Sequence, residues 1–313
     1  MIEALNASVA VLVLALAIFT IATRELVAAA VGFIAYGLLL TLVWVQLHGL
    51  DVALIEGAVG GGLTGVLVIA SGSRLRGTQA AASAERLGGS ARAAAAIAAG
   101  IVAAALAACV LALPDPAPTL APQVAANMAV TGVGNPITAV LLAFRAIDTL
   151  LEVIVVIFAL IGVWSLSPDG VWGGRPGPRY EADPDGILVY FARILPPIGI
   201  IVGIYIFWVG ADHPGGKFQG ATFLAAMWLL AARAGLTDAP AISRAWLRIA
   251  VVAGPVVFVA IGLAGAFTAG AFLAYPAGYA KPLILAIEWA LMPSLALTLA
   301  LLMAGAPQRP GMP

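Results

Sequence analysis

Four groups of charged residues set in apolar surroundings carry the chemistry this sequence is equipped to do. In Asp51-Val52-Ala53-Leu54-Ile55-Glu56 two carboxylates open an apolar stretch, and at 1.5 Å per residue Glu56 lies about 8 Å deeper in a helix than Asp51. Arg145, Asp148 and Glu152 recur at i, i+3 and i+7, the spacing of one helix face. Glu288 follows Lys281 by about two turns, too far for a pair within one helix. Asp212, His213 and Lys217 share a turn built on Pro214, Gly215 and Gly216. A charge near the centre of a bilayer costs about 2.5–3.5 kcal/mol on insertion scales, so such a residue is paired, hydrated or functional, and buried carboxylates suit proton or cation relay.

Counting partners separates these residues. Arg145 neutralises one carboxylate of its helix, and an Arg145–Asp148 pair holds packing together. Glu152 is left over, about 18 Å from the helix end near Trp164, and a carboxylate at that depth carries a proton or belongs to a conduction route. Glu56 has no basic residue in its own apolar run; ion pairing with a neighbouring subunit and charge relay both fit it. Glu288 needs a proton or a partner outside its own helix, another chain included. His213 reads as a solvated loop histidine or as a functional one. Gly57, Gly61 and Gly65, four residues apart, form a small-residue face that admits a neighbouring backbone. The triplet Gly60-Gly61-Gly62 can also host a local unwinding or a π-bulge.

The elements that must position these groups are membrane helices. Of 313 residues, 63% are hydrophobic and 10% charged, with mean hydropathy +1.08, whereas soluble domains carry about 25% charged residues. Apolar runs at roughly 4–22, 26–47, 52–70, 93–113, 136–164, 187–209, 218–232, 246–266 and 283–303 predict an all-α polytopic protein of about nine spans. The first run has no Lys or Arg before it and Arg24 after it, the reverse of a signal peptide, and reads as a retained span. With nine spans, Arg24, Arg74, Arg76, Arg86, Arg92, Arg175, Arg179, Arg193, Arg233, Arg244, Arg248 and Arg309 fall on one side, and Lys217 and Lys281 on the other. The positive-inside rule then predicts an outside N-terminus and a cytoplasmic C-terminus in the cell membrane. The lone Cys109 and the two histidines, His48 and His213, exclude internal disulfides, thiolate metal clusters and an HExxH zinc site. With fifteen basic and fifteen acidic residues and no basic run, nucleic acid is not expected as a partner.

Two stretches rich in Gly, Pro, Ser or charge, Gly72–Arg92 and Ser165–Asp185, break the chain into units. The expected divisions are 1–71 with three helices, 72–164 with two, a cytoplasmic linker over 165–185, and 186–313 with four. No internal repeat of the kind that builds autonomous carriers is visible.

Against known families, Ala192-Arg193-Ile194-Leu195-Pro196-Pro197-Ile198 and the loop Gly210 to Gly220 resemble the B subunit of the multisubunit Mrp cation/proton antiporters, in its pattern S/A-R-x-L-x-P-x-I…G-x-x-x-P-G-G-x-F-x-G. The family's histidine directly after the first glycine is Ala211 here, with His213 nearby; Lys217 replaces the third glycine of its P-G-G-G run, and Ala221 its closing glycine. Asp51 to Gly60 is similar to D-x-A-L-T-E-A-x-V-G of the C-terminal part of the Mrp A subunit, equivalent to the small D and E subunits of membrane-bound hydrogenases. Asn135-Pro136 through Glu152 is similar to that family's N-x-x-T-x-I-L-x-D-F-R-x-x-D-T-x-x-E, with Ala143 in place of the acidic residue before F-R.

The resemblance implies a fusion of normally separate subunits. It further implies a subunit without enzymatic activity or cofactor, in a cation (Na+) and proton antiporter related to the complex I membrane arm. Its partners would be large proton-channel-like subunits, other membrane subunits and the lipid bilayer. Glu56, Glu152, Asp148, Arg145 and Glu288 are the candidates for ion or proton translocation. A redox-driven hydrogenase-like complex is the alternative, and an autonomous small-solute carrier the minor one.

Overall fold

The computed structural model describes residues 2–23, 25–69, 88–178 and 180–308, which are mostly helical, with no strand among the described residues. The larger part of the expected Gly72–Arg92 linker, together with Arg24, Arg74, Arg76, Arg86, Arg179 and Arg309, lies outside the described residues. The helices are α1 (Ile2–Ala22), α2 (Leu26–Gln46), α3 (Leu50–Ile69), α4 (Gly89–Leu111), α5 (Ala121–Thr131), α6 (Pro136–Phe144), α7 (Ala146–Ser165), α8 (Ile187–Val209), α9 (Lys217–Arg233), α10 (Ala245–Thr268) and α11 (Ala280–Ala304). Eight of them are long and apolar enough to cross a membrane; α5 and α6, bent against each other by 85°, raise the count to nine if they form one span. The polytopic all-α class expected from composition is the class observed. α9, expected as a span, has 17 residues and falls short of that length.

The expected continuous helix over 136–164 is corrected. Val140–Phe144 is wound as a π-helix, and Arg145, at φ −135 and ψ 41, leaves the helical path before α7 begins. Backbone carbonyls freed by such a break need new donors in an apolar interior. Thr149 Oγ1 donates to the Leu141 carbonyl at 2.7 Å and Tyr275 Oη to that of Leu142 at 2.6 Å. Residues 136–164 stay mostly apolar on both sides of Arg145, so periodicity alone joins the two pieces. α5 is absent from the expected elements because its 11 residues are too few for a span. It forms because Pro122 is placed in its first turn and Gly132, at φ 68, closes it with a left-handed cap. Its Met128 packs on the core.

That core is organised around α11, whose Ile284, Ile287, Leu291, Leu295 and Leu301 are fully buried. α7, α9 and α10 pack on it, and α8 packs on α9. Gly254 of α10 lets the two backbones approach, since a Cβ there would stand 2.9 Å from the Ala290 carbonyl oxygen. At the next position, Pro255 has no N–H to give the Val251 carbonyl. Ser294 Oγ of α11 supplies a donor instead, at 2.5 Å. α4 differs from the rest: none of its residues is buried, and its surface is almost entirely apolar.

The two ends of the bundle differ in charge. At one end, Ile242 and Ser243 donate to the carbonyls of Gly174 and Gly173, Arg175 pairs with Asp238, and Arg233 lies 4.4 Å over the Tyr180 ring. The other end holds the 210–216 loop, the Val133–Asn135 segment, Asp51 and Lys281.

Candidate functional site

Loop residues at that second end are tied by one buried carboxylate and one buried amide. Asn135 caps α6, its Oδ1 accepting from Ile137 N at 2.9 Å, with Pro136 following where a missing N–H does no harm. The Nδ2 group of the same side chain points the other way and donates to Asp51 Oδ1 (3.1 Å), the Gly210 carbonyl (3.1 Å) and the His213 carbonyl (2.9 Å). Gly215 N also donates to Asp51 Oδ1, at 3.0 Å, and Thr138 Oγ1 to the Gly210 carbonyl at 2.6 Å. Gly215 and Gly216 adopt φ of 150 and 144, which only glycine accepts readily, and so turn the loop back over Asp51. Outside this knot, Lys281 Nζ holds both oxygens of Asp212, at 2.8 and 2.9 Å, and Gly134 N donates to Oδ1 at 2.9 Å. The bonded Lys281 ammonium holds the Asp212 carboxyl below the usual carboxylate range. The side chain of His213 is exposed, as is Pro214.

Beneath the knot lies a cavity of about 30 Å³ lined by Asp51, Thr138, Gly215, Lys217, Gln219 and Glu288. Lys217 is 4% exposed and Glu288 3%, so both charges stand out of reach of bulk water. They face the same cavity without a direct ion pair. Among the residues lining this cavity, Lys217 is the cation that Glu288 shares it with. Glu152 lies on the exposed side of α7. Tyr275, whose phenol burial keeps protonated, stands within the field of Glu288 and donates to the broken α6–α7 junction. Glu288, Lys217 and that junction thus form one polar region inside the apolar bundle.

The other candidates stand apart from it. Arg145 Nε meets Asp148 Oδ2 at 2.8 Å, with the two side chains 69% and 43% exposed, so this pair faces outward from the chain. Glu56 is half-buried in the π-helical stretch Glu56–Leu63 of α3, and its carboxylate lies over Gly60 in the space a Cβ would need. The glycine face of α3 packs on α2: Gly57 meets Thr41, Gly61 meets Leu38, and Gly65 lies under Ile34. From the α2 side, a Cβ on Gly37 would stand 3.0 Å from the Gly61 nitrogen.

Sequence reasoning placed Asp51 at the opening of its apolar stretch and assigned no role to Asn135, Thr138, Gln219 or Tyr275. The Asn-Pro dipeptide signals a helix start, but nothing in it signals that the amide's other face binds the start of α3 and the 210–216 loop.

Two parts of the chain match known families. Residues 187–306 match the family model described as a domain related to the MnhB subunit of Na+/H+ antiporter, and residues 11–77 match that of the D subunit of MBH. The fold is similar to a chain in the structure of the Mrp complex from Dietzia sp. DQ12-45-1b, with a TM-score of 0.73 at 24% identity, over 97% of this chain and 35% of that one. This chain therefore spans about a third of the length of that relative. It is also similar to a chain of the membrane-bound sulfane sulfur reductase (MBS), an archaeal respiratory membrane complex, with a TM-score of 0.54 at 21% identity, over 68% of this chain and 98% of that one. No curated protein matches the chain.

Proposed function

We propose that this chain, which joins a segment matching the MBH D subunit to an MnhB-related domain in one polytopic membrane protein, is a non-enzymatic subunit of a multisubunit cation/proton antiporter related to the complex I membrane arm. The observation that carries the reading is the bonding of the two segments through the Asp51 carboxylate: Asn135 and Gly215 both donate to it, and the Lys217–Glu288 cavity lies directly below. A joint of this kind places an ionisable interior where the two units meet, which suits charge transfer through the membrane. Na+ is the proposed metal cation. Glu56, Glu152 and Glu288 are the proposed translocating carboxylates, Glu288 for protons and not for the metal cation, and Arg145 with Asp148 the group that holds geometry. α4, apolar and without a buried residue, and the outward Arg145–Asp148 pair supply surfaces for lipid and for further membrane subunits. The arginine-bearing end is proposed to face the cytoplasm, with the N-terminus outside the cell membrane.

The test uses the complex purified through this chain. Large antiporter-like subunits should co-purify, and the reconstituted complex should exchange Na+ for protons. Glu152→Gln and Glu56→Gln should each slow exchange at unchanged complex yield. Normal exchange in both variants would show these carboxylates to be structural. For sidedness, single cysteines at Glu181 and His213 in a Cys109→Ala background should label from opposite faces of sealed vesicles.

A second reading is favoured by the near-complete coverage of an MBS chain: a membrane-arm subunit of a redox-driven complex. Iron–sulfur subunits in the purified complex would select it.

A further inference from the structure

Lys217 occupies an unfavourable place for a cation. It is 4% exposed, it has no direct ion pair among the described residues, and as the first residue of α9 it sits at the positive end of that helix's dipole. A buried ammonium persists only where nearby carboxylates compensate it. The groups around it come from several elements: Asp51 of α3, Thr138 of α6, Gln219 of α9 and Glu288 of α11 line the shared cavity. Tyr275, from the loop before α11, donates to the carbonyl of Leu142, which also lines the cavity. Asp51 Oδ1 also accepts from Asn135 and Gly215.

Without the lysine, the same cavity has the make-up of a site for a hard cation. Its polar lining supplies two carboxylates, a hydroxyl and an amide oxygen, donors that suit hard metal ions. Its volume of about 30 Å³ is enough for a water molecule or a small ion. The ammonium already neutralises this lining and repels a second cation at close range.

We propose that Lys217 is a tethered cation standing in the place a monovalent metal ion would take beside Glu288, and that it thereby excludes metal ions from this cavity. The proposal rests on reading the chain as part of a cation/proton antiporter, and it assigns Lys217 the role of a specificity-determining residue in that assembly.

The experiment is equilibrium binding of radioactive Na+ to the purified complex, compared among variants of this chain. Wild-type and Glu288→Gln complexes should bind Na+ equally, because Glu288 holds no metal ion in the native protein. Lys217→Met, close in length and uncharged, should gain one Na+ site at least tenfold tighter than any wild-type binding in this region, and the site should vanish in Lys217→Met/Glu288→Gln. Lys217→Arg should behave as wild type. Weaker Na+ binding in Glu288→Gln alone would overturn the proposal, and that comparison stands even where Lys217→Met fails to assemble. Assembled Lys217→Met and Lys217→Gly complexes with wild-type binding would overturn it as well. Exchange measured on the same wild-type preparation separates the two levels: absence of exchange removes the antiporter reading and leaves the binding result intact.

Discussion

The side-chain amide of Asn135 donates to Asp51 Oδ1 at 3.1 Å, across 84 residues of sequence, and the same amide reaches the carbonyls of Gly210 and His213. One residue therefore fastens three separate segments at one end of the bundle. Asn135→Leu should leave the Asp51 carboxylate and two loop carbonyls short of donors, and an unsatisfied buried polar group costs roughly 1–3 kcal/mol. We expect a lower thermal midpoint for the detergent-purified complex and early proteolysis in the 210–216 loop. An unchanged midpoint and cleavage pattern would mean that the segments hold one another by packing alone.

The α2–α3 contact depends on absent side chains. A Cβ on Gly65 falls on Ile34, so Gly65→Ala overpacks the pair and should destabilise it by about 1–3 kcal/mol. Ile34→Ala empties the space the new methyl needs. The double variant should recover much of the midpoint lost by Gly65→Ala, a non-additivity expected of residues in direct contact. Losses that simply add would place the clash elsewhere.

The Arg145–Asp148 pair faces outward, so breaking it strands no charge inside this chain. Exposed pairs contribute about 0.2–1 kcal/mol. Arg145→Gln should leave the melting of the chain alone nearly unchanged while lowering the yield of assembled complex, because the pair is then buried only by a partner. Equal loss in both measurements would assign the arginine to the chain's own fold.

What the sequence made legible follows from what its patterns measure. Long apolar runs report spans well, because a helix such as α8 or α10 must be apolar wherever it meets lipid. The same runs are blind to Arg145, where φ departs from helical values while hydrophobicity continues on both sides. The i+4 glycines of α3 pointed to a close helix contact, and their neighbour is α2. The Lys217–Glu288 cavity was not legible, because it depends on the 210–216 loop folding back over Asp51 and on α9 packing beside α11. Charge counting within each helix left Glu288 without a partner for the same reason: its cation lies 71 positions earlier, on another helix.

The last expectation concerns acid. Lys281, bonded to both oxygens, holds the Asp212 carboxyl below its usual range, with Gly134 N–H adding to the effect. A carboxyl lowered in the folded state stabilises the fold at any pH above its unfolded value, near 3.9, and loses that contribution as pH falls through the lower folded value. The stability gap between wild type and Asp212→Asn should therefore stay constant from pH 8 to about pH 5 and close only below about pH 4. Because both partners are substantially exposed, the gap itself should be small and should shrink with added salt. Melting curves of the two proteins across that range, at low and high ionic strength, give the measurement. A gap that closes already between pH 6 and 7 would overturn the assignment of the effect to the Asp212–Lys281 pair.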